Sequence, residues 1–209
     1  MGYLIRPMEK GDLRQVNGID REAFPGQWPP PNYRHELQNR LAHYLVALDN
    51  SKSAAGEAER PAKKSSGPGA WLIARFKGGR SREEVTPTET RQYIMGFAGI
   101  WLMVDEAHIT NIAVAQEYRR RGIGELLLIA TIDVARELKA STMTLEVRVS
   151  NLPAQNLYSK YGFVNMGTRR GYYLDNKEDA VIMTTEDINA ATFKERIEKL
   201  RELLGKKIS

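Results

Sequence analysis

Residues 111–128, NIAVAQEYRRRGIGELLL, constrain what this chain can fold into more than any other stretch. An apolar run suited to a buried strand (Ile112, Ala113, Val114) passes into a polar turn with three consecutive arginines, a Gly-x-Gly pair, and an apolar helix from about Gly124. A strand, loop and helix of this kind make an anion site. The first-turn N–H groups of a helix lack intrahelical acceptors and carry partial positive charge, and the glycines let a phosphate reach the backbone with no Cβ in the way. Arg119, Arg120 and Arg121 add full charges. An arginine run before a helix is also what an ordinary solvated turn looks like, and both readings stand at this level. The stretch lacks the third glycine of a dinucleotide fingerprint and the Gly-Lys-Ser/Thr of a P-loop.

The 209 residues suit one well-cored domain with an appendage rather than two full domains. A net charge of +5 is a mild excess that singles out no partner, and no direct nucleic-acid role is expected from it. With no cysteine there is no disulfide, thiolate metal site or cysteine nucleophile, which suits a reducing cytoplasm. The longest apolar runs fall short of a membrane span, and the first ten residues lack an apolar signal core, so a cytoplasmic chain with no membrane role is expected. Oligomeric state is not legible.

Along the chain, residues 3–6 read as a strand, residues 10–12 as a helix start, residues 33–41 as helical and residues 44–48 as a strand. Between them, residues 23–31 hold four prolines and form a loop carrying Phe24 and Trp28, which either anchor it in the core or face a ligand. Residues 49–92 are polar and low in complexity around the apolar 71–76, and read as a flexible insertion between two core strands. Residues 93–103 and 107–114 form an antiparallel pair, and the helix 124–138 turns Leu127, Leu128, Thr131, Ile132, Ala135 and Leu138 to one face. Asp105, Glu106 and His108 form a tempting metal trio, yet three residues closing one turn rarely converge on an ion, and no metal is expected. The tail places Phe193, Ile197, Leu200 and Leu204 at helical spacing, for packing on its own domain or for a partner surface.

Glu146 interrupts the apolar and threonine-rich strand 142–149, as an exposed strand glutamate or a base. Ser150-Asn151 follows, then a helix 153–160 stopping at Gly162. Tyr158 on that helix would, taken alone, simply pack it onto the sheet. Tyr172 and Tyr173 open a hairpin leading to a strand at 180–184, and either wall a pocket or pair across strands.

Two phrases carry a family resemblance. Arg119-x-x-Gly122-x-Gly124 resembles the acyl-CoA pyrophosphate loop of the GCN5-related N-acetyltransferases (GNAT). Glu146-Val147-Arg148-Val149-Ser150-Asn151-x-x-Ala154-x-x-x-Tyr158-x-x-x-Gly162-Phe163 resembles the RimI-type protein N-terminal acetyltransferases, bacterial enzymes that acetylate the alanine N-terminus of ribosomal protein S18. Ala23-Phe24-Pro25 with Trp28, and Arg169-Arg170-x-Tyr172-Tyr173, agree with that subfamily, with Gly26, Gln27 and Leu174 as departures. The resemblance implies an α/β GNAT fold: a mixed, mostly antiparallel sheet flanked by helices, as one domain over 1–185 with 49–92 inserted, and an amphipathic helix over 186–209. It implies acetyl-CoA as cosubstrate, bound by Ile112, Ala113, Val114, the loop Arg119, Arg120, Arg121, Gly122, Ile123, Gly124 and Glu125, and Asn151. It implies Glu146 as base and Tyr158 as acid, with Phe24, Trp28, Tyr172 and Tyr173 against the acceptor, a protein N-terminus such as that of S18. Lysine side chains, polyamines or small amines are the alternative acceptors, and a non-catalytic acyl-CoA-binding module is the alternative of another class.

Overall fold

A computed structural model of the chain describes residues 3–26, 29, 31–54 and 91–208. The elements run β1 (Tyr3–Pro7), α1 (Leu13–Ala23), a single-turn α2 (Tyr33–Glu36), β2 (Ala42–Ala54), β3 (Arg91–Met103), β4 (Glu106–Val114), α3 (Ile123–Glu137), β5 (Thr142–Arg148), α4 (Leu152–Lys160), β6 (Phe163–Arg169), β7 (Ala180–Thr185) and α5 (Ala191–Ile208). Seven strands form one sheet in the order β1-β2-β3-β4-β5-β7-β6. Every pairing is antiparallel except β4 with β5.

That one parallel pairing is short. It runs from Glu106↔Thr142 to Ile109↔Leu145 and stops, although β4 continues to Val114 and β5 to Arg148. The stop coincides with a bulge. Gly99 faces Asn111 and Ile100 faces Ile109, so Thr110 is the extra residue of β4. A bulge bends its strand and increases the local twist. Here it swings the second half of β4 away from β5 while β4 keeps its pairing with β3. The result is a wedge in the middle of the sheet.

Strand alternation sorts the side chains around the wedge. Met143, Leu145 and Val147 of β5 enter a core shared with Leu128, Ile129 and Ile132 of α3 and with Phe193, Ile197 and Leu204 of α5, while Thr144, Glu146 and Arg148 take the other face. A second core gathers Val16 and Ile19 of α1 with Tyr33, Tyr44 and Phe97. Within it Tyr33 sits edge-on to both Tyr44 and Phe97, with ring centroids 5.4 Å apart in each case, and its hydroxyl donates to the buried Asp20 at 2.5 Å. Leaving Asp20 without that donor would cost about 1 to 3 kcal/mol. The bond fixes α1, and hence the start of the loop after it, against the sheet.

Several expectations shift in detail. The helix expected over 33–41 is a single turn, capped by Asn32 through the N–H of His35. β2 and β3 both run beyond the expected strands, pairing out to Ala54↔Arg91. Residues 55–90, which hold most of the expected insertion and its apolar 71–76 stretch, lie outside the described residues, as does Trp28. The tail's apolar face, Phe193, Ile197 and Leu204, is buried in the chain's own core.

Candidate active site

The wedge between β4 and β5 holds a cavity of about 600 Å³. Ile109, Thr110, Asn111 and Ile112 line it from β4, Leu145 to Arg148 from β5, Asn151 and Ala154 from the start of α4, and Tyr158 from its last turn. Phe24 and Pro25 close it from the α1 loop, and Tyr172 to Asn176 from the loop between β6 and β7. A second cavity of about 510 Å³ opens along the sheet face, lined by Trp101, Met103, Glu106, Thr144, Arg169 and Ile182. Both cavities are lined by His108, Thr110, Glu146 and Tyr172. Glu146 therefore stands where the two meet.

Its surroundings are specific. The Glu146 side chain is only 6% exposed; its Oε2 lies 3.0 Å from His108 Nε2 and its Oε1 lies 3.0 Å from Arg169 Nη1. The three residues come from β5, β4 and the end of β6. His108 pairs in register with Thr144, so it reaches Glu146 diagonally along the face they share. The expectation grouped His108 with Asp105 and Glu106 as turn neighbours and missed this contact. Among the described residues no group of three His, Cys, Asp or Glu side chains is placed to hold a metal.

Tyr158 is buried, its ring against Phe163 with centroids 5.8 Å apart. Burial first, and the nearby Tyr173 second, push its phenol well above the ordinary tyrosine value. It keeps its proton at neutral pH. Tyr172 and Tyr173 meet edge to face at 5.2 Å, and the Arg148 guanidinium lies 3.8 Å over the Tyr173 ring. Arg148 also ties down the loop that carries them, with bonds of 2.9 and 3.0 Å to Asp175 and of 3.1 Å to Glu178. Glu178 Oε1 accepts from the Ser150 N–H at 2.8 Å, and these bonds, Ser150 foremost, bring its carboxyl down to about 2. Phe24 does both things expected of it as alternatives, packing against the α1 core and lining the cavity.

The loop before α3 is built from backbone. Arg120 (φ 64°) and Gly122 (φ 86°) both adopt the left-handed conformation, and Gly122, at the cap position of α3, has no side chain to bond the first-turn N–H groups. No side chain among the described residues takes up those donors, which suits them to an anion. The three arginines differ. Arg119 Nε donates to the Val114 carbonyl at 3.1 Å and its Nη2 pairs with Glu22 at 3.4 Å, bracing the loop to α1. Arg121 lies over the Tyr118 ring at 5.3 Å, and Arg120 has no partner among the described residues. Glu125 is held by Lys160 and by Tyr161, whose hydroxyl donates at 2.9 Å. Asn151 Oδ1 accepts from the Ala154 N–H at 3.2 Å as the cap of α4, which fixes the side chain and leaves its amide NH2 and the second lone pair of Oδ1 for a ligand. The second half of β4, Ile112 to Val114, has no strand partner on its wedge side among the described residues.

Comparison with known proteins agrees with this arrangement. Residues 85–163 match the family model described as Acetyltransferase (GNAT) family. The chain is 34% identical over 180 residues to a Bacillus subtilis (strain 168) protein with the provisional name ribosomal protein bS18-alanine N-acetyltransferase, covering 86% of this chain and 92% of the relative. It is 33% identical over 182 residues to an N-alpha-acetyltransferase of Sulfurisphaera tokodaii, covering 87% and 91%. Among solved structures, the ribosomal-protein-S18-alanine N-acetyltransferase from Escherichia coli superposes with a TM-score of 0.62 at 25% identity, covering 91% of this chain and 97% of that one. A split parallel pair, a helix start with no side-chain cap beside it and likeness over most of the chain to named acetyltransferases lead to one assignment: the chain belongs to the GNAT family and is an acetyl-CoA-dependent N-acetyltransferase.

Proposed function

We propose that the chain acetylates the α-amino group of a protein N-terminus in the cytoplasm, with an alanine-first ribosomal protein of the S18 kind as acceptor. The observation that carries this reading is Glu146, buried at the junction of two cavities with His108 and Arg169 on its two oxygens. The names of relatives that align over most of the chain support the acceptor. The aromatic wall of Phe24, Tyr172 and Tyr173 suits the first residues of a peptide.

Acetyl-CoA supplies the activated acyl group. The uncapped start of α3 and the unpaired edge of β4 fit its pyrophosphate and its amide-bearing arm respectively, the arm lying along Ile112 to Val114 like an added strand. Backbone N–H groups of that edge polarise the thioester carbonyl. An α-amine with a pKa of about 7.7 to 8.0 is largely protonated at neutral pH and must lose a proton before it attacks. Glu146 accepts that proton. His108 Nε2, 3.0 Å away, holds the carboxylate in place and lines both cavities, so it stands on the route by which the proton leaves. The guanidinium of Arg169, whose side chain is 56% exposed, is the counter-ion that the incoming ammonium displaces. Tyr158, kept protonated by its burial, donates to the sulfur as the C–S bond breaks, and the second proton that the nitrogen sheds as the amide forms balances the one the phenol gives up.

The test is CoA release from acetyl-CoA across peptides that differ only in their first residue, with an N-terminally blocked lysine peptide and spermidine alongside. The expected result is turnover on free N-termini only, strongest with alanine first. Turnover confined to the blocked peptide or spermidine would replace the acceptor, and stoichiometric CoA binding without turnover on any amine would replace the enzyme with an acyl-CoA-binding module.

A further inference from the structure

The carboxyl end of α5 reaches the start of α3. A Cβ built on Gly122 would lie 3.0 Å from both Leu204 Cδ1 and Ile208 Cγ2, and Leu204 is 4% exposed. Arg201 pairs with Asp133 of α3 at 2.8 Å, while Lys207 Nζ lies 3.9 Å from Glu125 Oε1. The two helices thus run antiparallel, with the last turn of α5 seated against the turn that caps α3.

Two electrostatic problems arise there. Glu125 is the acidic residue of the first turn of α3, where it opposes a bound phosphate. The carboxyl end of a helix carries partial negative charge, and α5 delivers that end to the same place. Both are offset by cations. Lys160 and Lys207 flank the Glu125 carboxylate, and Lys206 and Lys207 occupy the last turn of α5. Glu125, with its side chain 16% exposed, is closed in by the two lysines and the Tyr161 hydroxyl rather than left facing the loop.

We infer that the last turn of α5 forms the outer wall of the acetyl-CoA phosphate site, with Leu204 and Ile208 seating the Gly122 turn and Lys207 joining Lys160 in neutralising Glu125. This rests on the acetyl-CoA reading of the loop. Leu204, Ile208 and Lys207 are positioning residues: they act on the donor's phosphates through Gly122 and Glu125.

The experiment compares the full chain with a chain lacking residues 206–209 and with Lys207→Glu, using acetyl-CoA and S-acetylpantetheine, which lacks the pyrophosphate and nucleotide. The KM for acetyl-CoA should rise about threefold in the shortened chain and about tenfold in Lys207→Glu, as expected for one or two charge units near a helix end. The rise should shrink at high salt, kcat should stay within about twofold, and kcat/KM with S-acetylpantetheine should not move. Equal loss with both donors would make α5 a mere support of the fold, and no loss with either would remove it from the site; both results overturn the inference. Calorimetry with CoA separates the levels. If the full chain failed to bind CoA, the loop reading and the inference would both fall, whereas equal CoA affinity in all three chains would overturn the inference alone.

Discussion

The two halves of the cleft are built from different materials. The half assigned to acetyl-CoA is backbone: an unpaired strand edge at 112–114, a left-handed turn and the uncapped start of α3, all within fourteen consecutive residues, 112–125. The half assigned to the acceptor is side chain: Phe24, His108, Glu146, Arg169, Tyr172 and Tyr173, drawn from the α1 loop, β4, β5, β6 and the loop after β6. Backbone recognises what every donor molecule has in common, while side chains can be exchanged singly to suit another amine. The proposed chemistry lies where the halves meet.

Tyr158→Phe should break that meeting point with a loss that only a change at Glu146 exceeds. It should lower kcat by about a hundredfold, the lower range for a proton-transfer residue, with CoA affinity unchanged because the ring still packs on Phe163. Stopped-flow turnover with parallel calorimetry checks both quantities.

The glycines of the backbone half should separate next. Gly122 has a positive φ and meets α5, so Gly122→Ala should destabilise the fold by about 1 to 3 kcal/mol. Gly124 is different. A Cβ there would meet only Leu157 and Val114 at 3.8 and 3.9 Å, ordinary contacts, so Gly124→Ala should leave the melting temperature unchanged or slightly raised while weakening CoA binding. Thermal melts and CoA titrations of both variants, side by side, sharpen the distinction between a glycine required by the fold and one kept for a ligand.

The smallest effect belongs to the side-chain half. Glu178, depressed from 4.5 to about 2, contributes stability that is fully present above pH 4.5 and is lost as the pH falls toward 2. The gap in melting temperature between the unaltered chain and Glu178→Gln should be constant from pH 7 to 5 and close between pH 4.5 and 2.

The same contrast decides what could be read from sequence. The backbone half was legible because its parts are contiguous: apolar strand, Gly-x-Gly and amphipathic helix stand in one phrase, and α3 begins at Ile123, one residue before the expected start. The cap of α4 was legible in principle too, since Asn151 stands two residues before Pro153, a helix-start pattern. The His108 to Glu146 contact was not, because it depends on the register of a parallel pair whose strands are separated by a whole helix. Nor was the wedge itself, which comes from the extra residue Thr110 in β4. β6 escaped notice because its side chains after Phe163 are mostly exposed and lack apolar alternation. The engagement of Arg119 with Glu22 depended on where α1 comes to lie.

The most direct test of the account is the rate of acetyl transfer by Glu146→Gln to an alanine-first peptide, measured together with its affinity for CoA. The substitution keeps the shape of the side chain and its contact with His108 but removes the proton acceptor. The account predicts that kcat falls by a factor on the order of 10² to 10⁴ at neutral pH while the CoA dissociation constant stays within about twofold. Transfer at an undiminished rate, or a loss of CoA binding that matches the loss of rate, would remove Glu146 from the centre of the reaction.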